Sequence, residues 1–185
     1  ALSTNSTLRI GNYYSNSIQG DIKLIEIYKN LGVISSFEKN TLCLKKDKNH
    51  KLPKKVILDL NDNPDLAQTI AVSCFGLGLQ CDLYGLQTLK IKETDRLLAL
   101  EKELVKLGGN ILITNDSLHL KKSKEFNVNI CIDTYEDHRM AMAFAPLGII
   151  KPIIINDPMV VSKSFPTYWK ALKKLNFRIS EYKRN

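Results

Sequence analysis

An internal repeat constrains this chain more than any single motif. Leu31-Gly32 is followed by two short strand-like runs and then Lys45-Lys46, and Leu107-Gly108 is followed without a gap by two similar runs and Lys121-Lys122. Asp65, with Ala67, Ala71 and Gly76 after it, recurs in the same spacing as Asp137, with Arg139, Ala143 and Gly148 after it. A chain built this way folds each repeat as one supersecondary unit and buries it against the next.

The periodicity within each repeat names its elements. Residues 22–31 place Ile22, Leu24, Ile25, Tyr28 and Leu31 on one side of a short helix that Asp21 precedes and Gly32 stops. Strand-like runs at 33–37 and 41–45 flank a turn at Glu38-Lys39-Asn40, and another strand follows the lysine-rich loop at 56–60. Asn63-Pro64 is cap chemistry with proline at the first helical position. The helix predicted over 64–77 is almost wholly apolar apart from Asp65, Gln68 and Thr69, which requires burial. After a strand at Gln80–Tyr84, the stretch 90–109 opens on Lys90, Lys92, Glu93, Asp95 and Arg96. It continues with Leu97, Leu98, Leu100, Leu104, Val105 and Leu107 at helical spacing, with Thr94 or Asp95 as N-cap and Gly108-Gly109 as the stop. Helices are also predicted over 137–149 and 165–175, and a strand over 177–182, while residues 1–20 carry no clear pattern. Strand, buried helix, strand, amphipathic helix and hairpin in repetition make an α/β fold, with helices packed on mixed sheets.

Composition excludes several classes. With 185 residues, 44% of them apolar and 25% charged, the chain has enough apolar mass for a core and too few polar tracts for disorder. No apolar run approaches the ~20 residues that cross a bilayer, so no membrane association is expected. The four cysteines are scattered and the three histidines lack metal-ligand spacing. That points to a reducing compartment, the cytoplasm, and to no metal. Cys74 and Cys131, the methionines and Trp169 are expected in the core. The net charge of +8 suits nucleic acid or small anionic substrates. Without interleaved aromatics or a recognised motif, a basic nucleic-acid-binding module is the weaker alternative. GxGxxG, P-loop and GxSxG motifs are absent, which removes support for dinucleotide, nucleotide and serine-hydrolase chemistry. The first residue is Ala1, and a polar Ser/Asn-rich stretch follows, so the chain is expected to be a fragment.

The repeat also gathers ionisable side chains at helix starts. Asp65 opens one buried helix, and His138 and Arg139 open its repeat mate. Lys92, Glu93 and Arg96 open the amphipathic helix, and Ser162-Lys163-Ser164 precedes the last one. Helix starts carry unpaired N–H groups and attract anions, so repeats packed side by side bring these groups toward one anion site. Each residue has a plainer role as well. Asp65 suits a helix dipole and Arg96 an i,i+3 bridge to Glu93. Arg139 suits pairing with Asp133, Glu136 or Asp137, or bidentate binding of an anion. His138 suits capping or acid/base work, and Lys163 suits solvent.

The motifs KETDR (92–96), DHRMAMAF (137–144) and SKSFPTYW (162–169), with QGD (19–21) and NPDLAQTIA (63–71), resemble the 5-enolpyruvylshikimate-3-phosphate synthase family. They occur in that family's order along nearly the whole chain. The resemblance implies one lobe, residues 1–185, of the enolpyruvyl transferase fold, built from βαβαββ units, with the N-terminal lobe absent. It implies transfer of the enolpyruvyl group from phosphoenolpyruvate to the 5-hydroxyl of shikimate 3-phosphate, with no cofactor and in a monomer. By the same resemblance Asp65 holds and deprotonates the 5-hydroxyl, and Glu93 shuttles a proton at the phosphoenolpyruvate methylene. Lys92 lies near shikimate phosphate, Arg96 and Arg139 grip phosphoenolpyruvate, Lys163 contacts it as a general acid, and His138 supports them. Thr88 departs from the pattern, standing where some members carry a substrate-contacting Asn. The related UDP-N-acetylglucosamine enolpyruvyl transferases share the architecture, but KETDR and DHRMAMAF point away from them.

Overall fold

The computed structural model describes residues 1–4, 6–123 and 125–182. The last three residues of the expected lobe thus lie outside the described residues. The chain divides into two compact units, Ala1–Lys54 and Lys55–Asn185.

The first unit holds β1 (Leu8–Gly11), α1 (Lys23–Lys29), β2 (Val33–Glu38) and β3 (Thr41–Lys46), with a 3-10 turn at Gly20–Ile22 leading into α1. Its sheet is antiparallel in the order β1-β3-β2. The hairpin closes on Glu38↔Thr41, with Lys39 in the left-handed region at φ +54°. Ile27, Leu31, Val33, Leu42 and Cys43 are buried. Strand β1 lies in the stretch without a clear sequence pattern. Its four residues gain their order from the ladder to β3, not from a periodicity of their own.

The second unit begins with a complete βαβαββ run. It consists of β4 (Lys55–Asp59), α2 (Ala67–Gly76), β5 (Gln80–Tyr84), α3 (Arg96–Lys106), β6 (Asn110–Ile113) and β7 (Ser117–Lys121). Strands β4 and β5 are parallel, joined through α2, and the sheet order is β4-β5-β7-β6. The order β5-β7-β6 repeats β1-β3-β2 of the first unit, which is the repeat expected from Leu31-Gly32 and Leu107-Gly108. A second run follows with β8 (Cys131–Ile132), α4 (His138–Phe144), β9 (Ile154–Ile155) and α5 (Tyr168–Lys174), and β8 pairs parallel with β9. Residues 177–182 form no strand. Phe177 and Ile179 instead pack on the cluster of Ala141, Ala145, Val161, Tyr168 and Leu172, so burial uses their apolar side chains without a ladder.

Helix α2 is the centre of this unit, with Ala67, Gln68, Ile70, Ala71, Val72, Cys74 and Phe75 buried. It packs on α4, its repeat mate, and on α3. On α3 the buried face is Leu97, Leu100 and Leu104, with Leu107 after it. Leu98 and Val105 are exposed, because they fall outside the arc that faces the core. The Asp95 carboxylate caps α3 by accepting from the Leu98 N–H at 3.0 Å, whereas Asn63 makes no side-chain cap and α2 starts through a 3-10 turn at Pro64–Leu66. Gly108, at φ +94°, ends α3. Its N–H reaches the Val105 carbonyl at 2.9 Å while that of Gly109 reaches Leu104 at 2.7 Å. Met159 is exposed, and Trp169 and Cys131 are only half-buried, held by polar contacts to the Pro158 carbonyl and to Asn156. Of the expected core positions, Cys74 and Met140 are fully buried and Met142 and Trp169 pack against the cluster around Tyr168, whereas Met159 and Cys131 lie outside the core.

The outer face of the four-stranded sheet carries an ionic row. Asp82 on β5 pairs with Lys55 on β4 and accepts from His119 Nδ1 on β7 at 3.0 Å. Burial pushes the Asp82 carboxyl up, but the hydrogen bonds from Lys55 and His119 outweigh this and hold it below its ordinary value. A carboxyl whose folded pKa lies below its unfolded one adds stability above the unfolded value, and that stability disappears as pH falls through the folded value. The wild-type chain is therefore expected to lose more melting temperature than Asp82→Asn between about pH 6 and about pH 3, measured by circular dichroism.

Candidate active site

Three helix starts meet at one arginine. Arg96 opens α3 one residue after the Asp95 cap, and its side chain turns back into the unit, leaving the residue 1% exposed. Asp137 caps α4 and is fully buried. Asp65 lies in the 3-10 turn ahead of α2. Arg96 Nε donates to Asp137 Oδ2 at 2.7 Å and its Nη1 to Asp65 Oδ1 at 2.8 Å. Its Nη2 donates to Glu93 Oε2 at 2.7 Å and, more weakly, to Asp137 Oδ1 at 3.4 Å. One planar guanidinium thus fixes three carboxylates, a geometry that a single ammonium does not reproduce.

Asp137 is held from every side. Besides Arg96 it accepts from Gln68 Nε2 at 3.2 Å and from the Arg139 backbone N–H at 2.8 Å, and His138 Nδ1 stands 3.8 Å from it. Gln68 is the one strongly polar buried side chain on α2, and its Oε1 has no hydrogen-bond partner among the described residues. Asp65 is half-buried and attracts two more cations. Lys92 Nζ lies 3.5 Å from its Oδ1 and Arg139 Nη2 3.5 Å from its Oδ2, while Arg139 Nη1 donates to its backbone carbonyl at 3.3 Å. Arg139 therefore pairs with Asp65, not with Asp133, Glu136 or the carboxylate of Asp137 as the sequence suggested. The i,i+3 bridge from Arg96 to Glu93 exists, but it is one of three.

Of the seven residues singled out in the sequence, Asp65, Lys92, Glu93, Arg96, His138 and Arg139 come together here. Lys163 ends the 3-10 helix Pro158–Lys163 and is exposed, five residues before α5 begins, so it does not sit at an α-helix start. No hydrogen bond or ion pair among the described residues joins it to the cluster. Thr88 is exposed in the 3-10 turn Gln87–Ile91. Sequence reasoning passed over Asp137 as the hub and Gln68 as its second support. The signal for Gln68 was present, as a large amide in the middle of an apolar helix.

The site has two chemical layers. Arg96 and Asp137 form a buried base whose charges cancel within hydrogen-bond distance. Above it, Lys92, Glu93, Asp65 and Arg139 are partly exposed, so their cations sit at looser distances near 3.5 Å and remain available to an anion. Glu93, Asp137 and His138 present ligand atoms within 4.8 Å of one another. Both carboxylates share the Arg96 guanidinium, whose positive charge opposes a metal cation at that point.

The family model described as EPSP synthase (3-phosphoshikimate 1-carboxyvinyltransferase) matches residues 1–172. The chain belongs to the EPSP synthase family. It is similar to the 3-phosphoshikimate 1-carboxyvinyltransferase of Bacteroides fragilis, 43% identical over 182 residues, covering 97% of this chain and 44% of that protein. The protein of the same name from Neisseria meningitidis serogroup C is 33% identical over 169 residues, covering 91% and 39%. This EPSP synthase family chain thus spans less than half the length of the curated relatives it matches. Among solved structures, EPSP synthase from Acinetobacter baumannii superposes with a TM-score of 0.67 at 22% identity, covering 94% of this chain and 42% of that one. The enolpyruvyl transferase NikO from Streptomyces tendae gives 0.68 at 14% identity, covering 95% and 40%. At these identities the two structures speak for the fold, which is that of an enolpyruvyl transferase lobe. Among the described residues no helix is long and apolar enough to cross a membrane.

Proposed function

We propose that this chain is the C-terminal lobe of a 3-phosphoshikimate 1-carboxyvinyltransferase and carries much of its phosphoenolpyruvate site. The reaction adds the 5-hydroxyl of shikimate 3-phosphate to the enol carbon of phosphoenolpyruvate and then expels phosphate. The first step removes a proton from the hydroxyl and adds one to the methylene, and the second removes a proton from the new methyl group. Groups that accept and return protons are therefore needed on both sides of one carbon. Asp65 takes the hydroxyl proton and Glu93 exchanges the proton at the methylene. Lys163 is the general acid that reaches the phosphate once substrates are bound.

The observation that carries this reading is that one buried guanidinium holds Asp65 and Glu93 apart on separate nitrogens, at 2.8 and 2.7 Å. Two carboxylates fixed this way keep their separation while cations beside them receive the substrate anions. Arg139 and Lys92, at looser distances, take the phosphoenolpyruvate and shikimate phosphate groups, and His138 supports them. Arg96 contributes mainly as the anchor, because Asp137, Asp65 and Glu93 already occupy most of its N–H groups. A second lobe closes the cleft, so the 185 residues by themselves are expected to have negligible turnover. The active protein is expected to be a monomer in the cytoplasm, with no nucleic-acid or membrane partner.

The test is phosphate release by the full gene product, supplied with phosphoenolpyruvate and either shikimate 3-phosphate or UDP-N-acetylglucosamine. Release with the first acceptor alone supports the proposal. Release with the second, or with neither, overturns it.

A further inference from the structure

Two turns beyond Arg96 on α3, Glu103 makes a second grip on the segment that leads to Asp137. Arg96 and Glu103 are seven residues apart, so they lie on nearly the same face of the helix. Glu103 is completely buried. Its Oε1 accepts from the Tyr135 hydroxyl at 2.6 Å and its Oε2 from the Asp133 backbone N–H at 3.2 Å. Lys106 Nζ neutralises it, donating at 2.8 and 2.9 Å to its two oxygens and at 2.7 Å to Asp133 Oδ2. Asn156, just after β9, holds the other Asp133 oxygen. Burial raises the Tyr135 phenol above its ordinary value and the bond to Glu103 raises it further, so it remains a donor.

Between the two grips the backbone is strained. Tyr135 and Glu136 are consecutive non-glycine residues in the left-handed region, at φ +52° and +57°. Such a pair persists only where its surroundings over-determine it, and strain of this kind gathers at functional sites. The chain emerges from the turn directly into Asp137, His138 and Arg139. The turn therefore sets where the Asp137 carboxylate meets Arg96, and where α4 points Arg139.

We propose that Glu103 and Tyr135 are positioning residues for the anion site, holding the left-handed turn so that Asp137 and Arg139 keep their register against Arg96. They touch neither substrate nor reacting atoms and act through the backbone of 133–137. The kinetic part rests on the function proposed above, while the structural part does not.

The experiment compares Tyr135→Phe and Glu103→Gln with wild type in the full gene product, well below the melting temperature. Amide hydrogen exchange at Arg139 and Met140 is expected to quicken about tenfold or more in Tyr135→Phe, while Leu100 and Leu104 keep their wild-type rates. KM for phosphoenolpyruvate is expected to rise about tenfold to a hundredfold, with KM for shikimate 3-phosphate nearly unchanged. Glu103→Gln keeps one carbonyl oxygen for the Tyr135 hydroxyl, but its N–H2 faces the Asp133 N–H and its ion pair with Lys106 is lost, so exchange at Arg139 and KM for phosphoenolpyruvate are expected to rise in this variant as well. A lower melting temperature with unchanged exchange at Arg139 would mean that the contact is merely structural, and the proposal falls. If the wild type turns over neither acceptor, the functional reading fails, and the exchange rates still decide the positioning role.

Discussion

Arg96→Met is expected to destabilise the protein by about 3–5 kcal/mol, the cost typical of stripping one partner from a buried ion pair. The methionine fits the volume but leaves Asp137 fully buried, with only Gln68 Nε2 and the Arg139 N–H to satisfy it. Asp65 keeps Lys92 and Arg139, and Glu93 turns to water, so the loss concentrates at Asp137. Arg96→Lys is expected to recover part of the stability, because one ammonium reaches Asp137 but does not span all three carboxylates. The double variant Arg96→Met with Asp137→Asn is expected to be more stable than the sum of the two single losses, since the uncompensated charge is gone. Urea denaturation of the wild type, Arg96→Met, Arg96→Lys, Asp137→Asn and the double variant measures this. An Arg96→Met midpoint close to wild type would show that the guanidinium is not the keystone of the cluster.

The other large effect concerns turnover. Glu93→Gln is expected to lower kcat by about 10²–10⁴ with little change in either KM, the range for removing a general acid/base. Glutamine still accepts from Arg96 Nη2 through its carbonyl, and Glu93 is one of the more exposed members of the site, so the fold survives. Phosphate release in the full gene product, with the melting temperature as control, separates the two readings of this residue. A Glu93→Gln enzyme with wild-type kcat would reduce Glu93 to a surface partner of Arg96.

Local patterns carried most of the fold. The apolar run of α2, the glycine stop after α3 and the alternating runs of the two hairpins each lie within a few consecutive residues, so their physics is visible in one dimension. Strand β5 was legible to its ends, Gln80–Tyr84. Strand β1 was not, because a four-residue strand owes its existence to the ladder with β3. The run 177–182 looked like a strand because alternation marks burial on one side, and here that burial is against α4 and α5, not within a sheet.

At the site, the residue types were legible and the pairings were not. KETDR and DHRMAMAF marked the charged helix starts, and the repeat placed them at equivalent points of neighbouring units. Arg96 meets Asp137 across 41 positions and Arg139 meets the Asp65 carbonyl across 74, and nothing in the local spacing of either arginine favours that partner. Local spacing instead offers Arg139 three partners, Asp133, Glu136 and Asp137, or a bound anion, and among the described residues only Asp137 of the three meets Arg139, through the backbone N–H. The other two belong to the segment that Glu103 and Lys106 hold through Asp133, or to the left-handed turn itself.

The proposed function rests on Arg139 and Lys92, partly exposed above the Arg96 base, binding the substrate anions, with Arg139 on phosphoenolpyruvate. Calorimetric titration of phosphoenolpyruvate into the full gene product with shikimate 3-phosphate present, for wild type and Arg139→Gln, tests it directly. Binding is expected to be saturable and to weaken with salt in the wild type, and to fall by about tenfold to a hundredfold in Arg139→Gln, the loss expected for one charge-assisted pair. Equal affinity in the two proteins would place the anion away from Arg139.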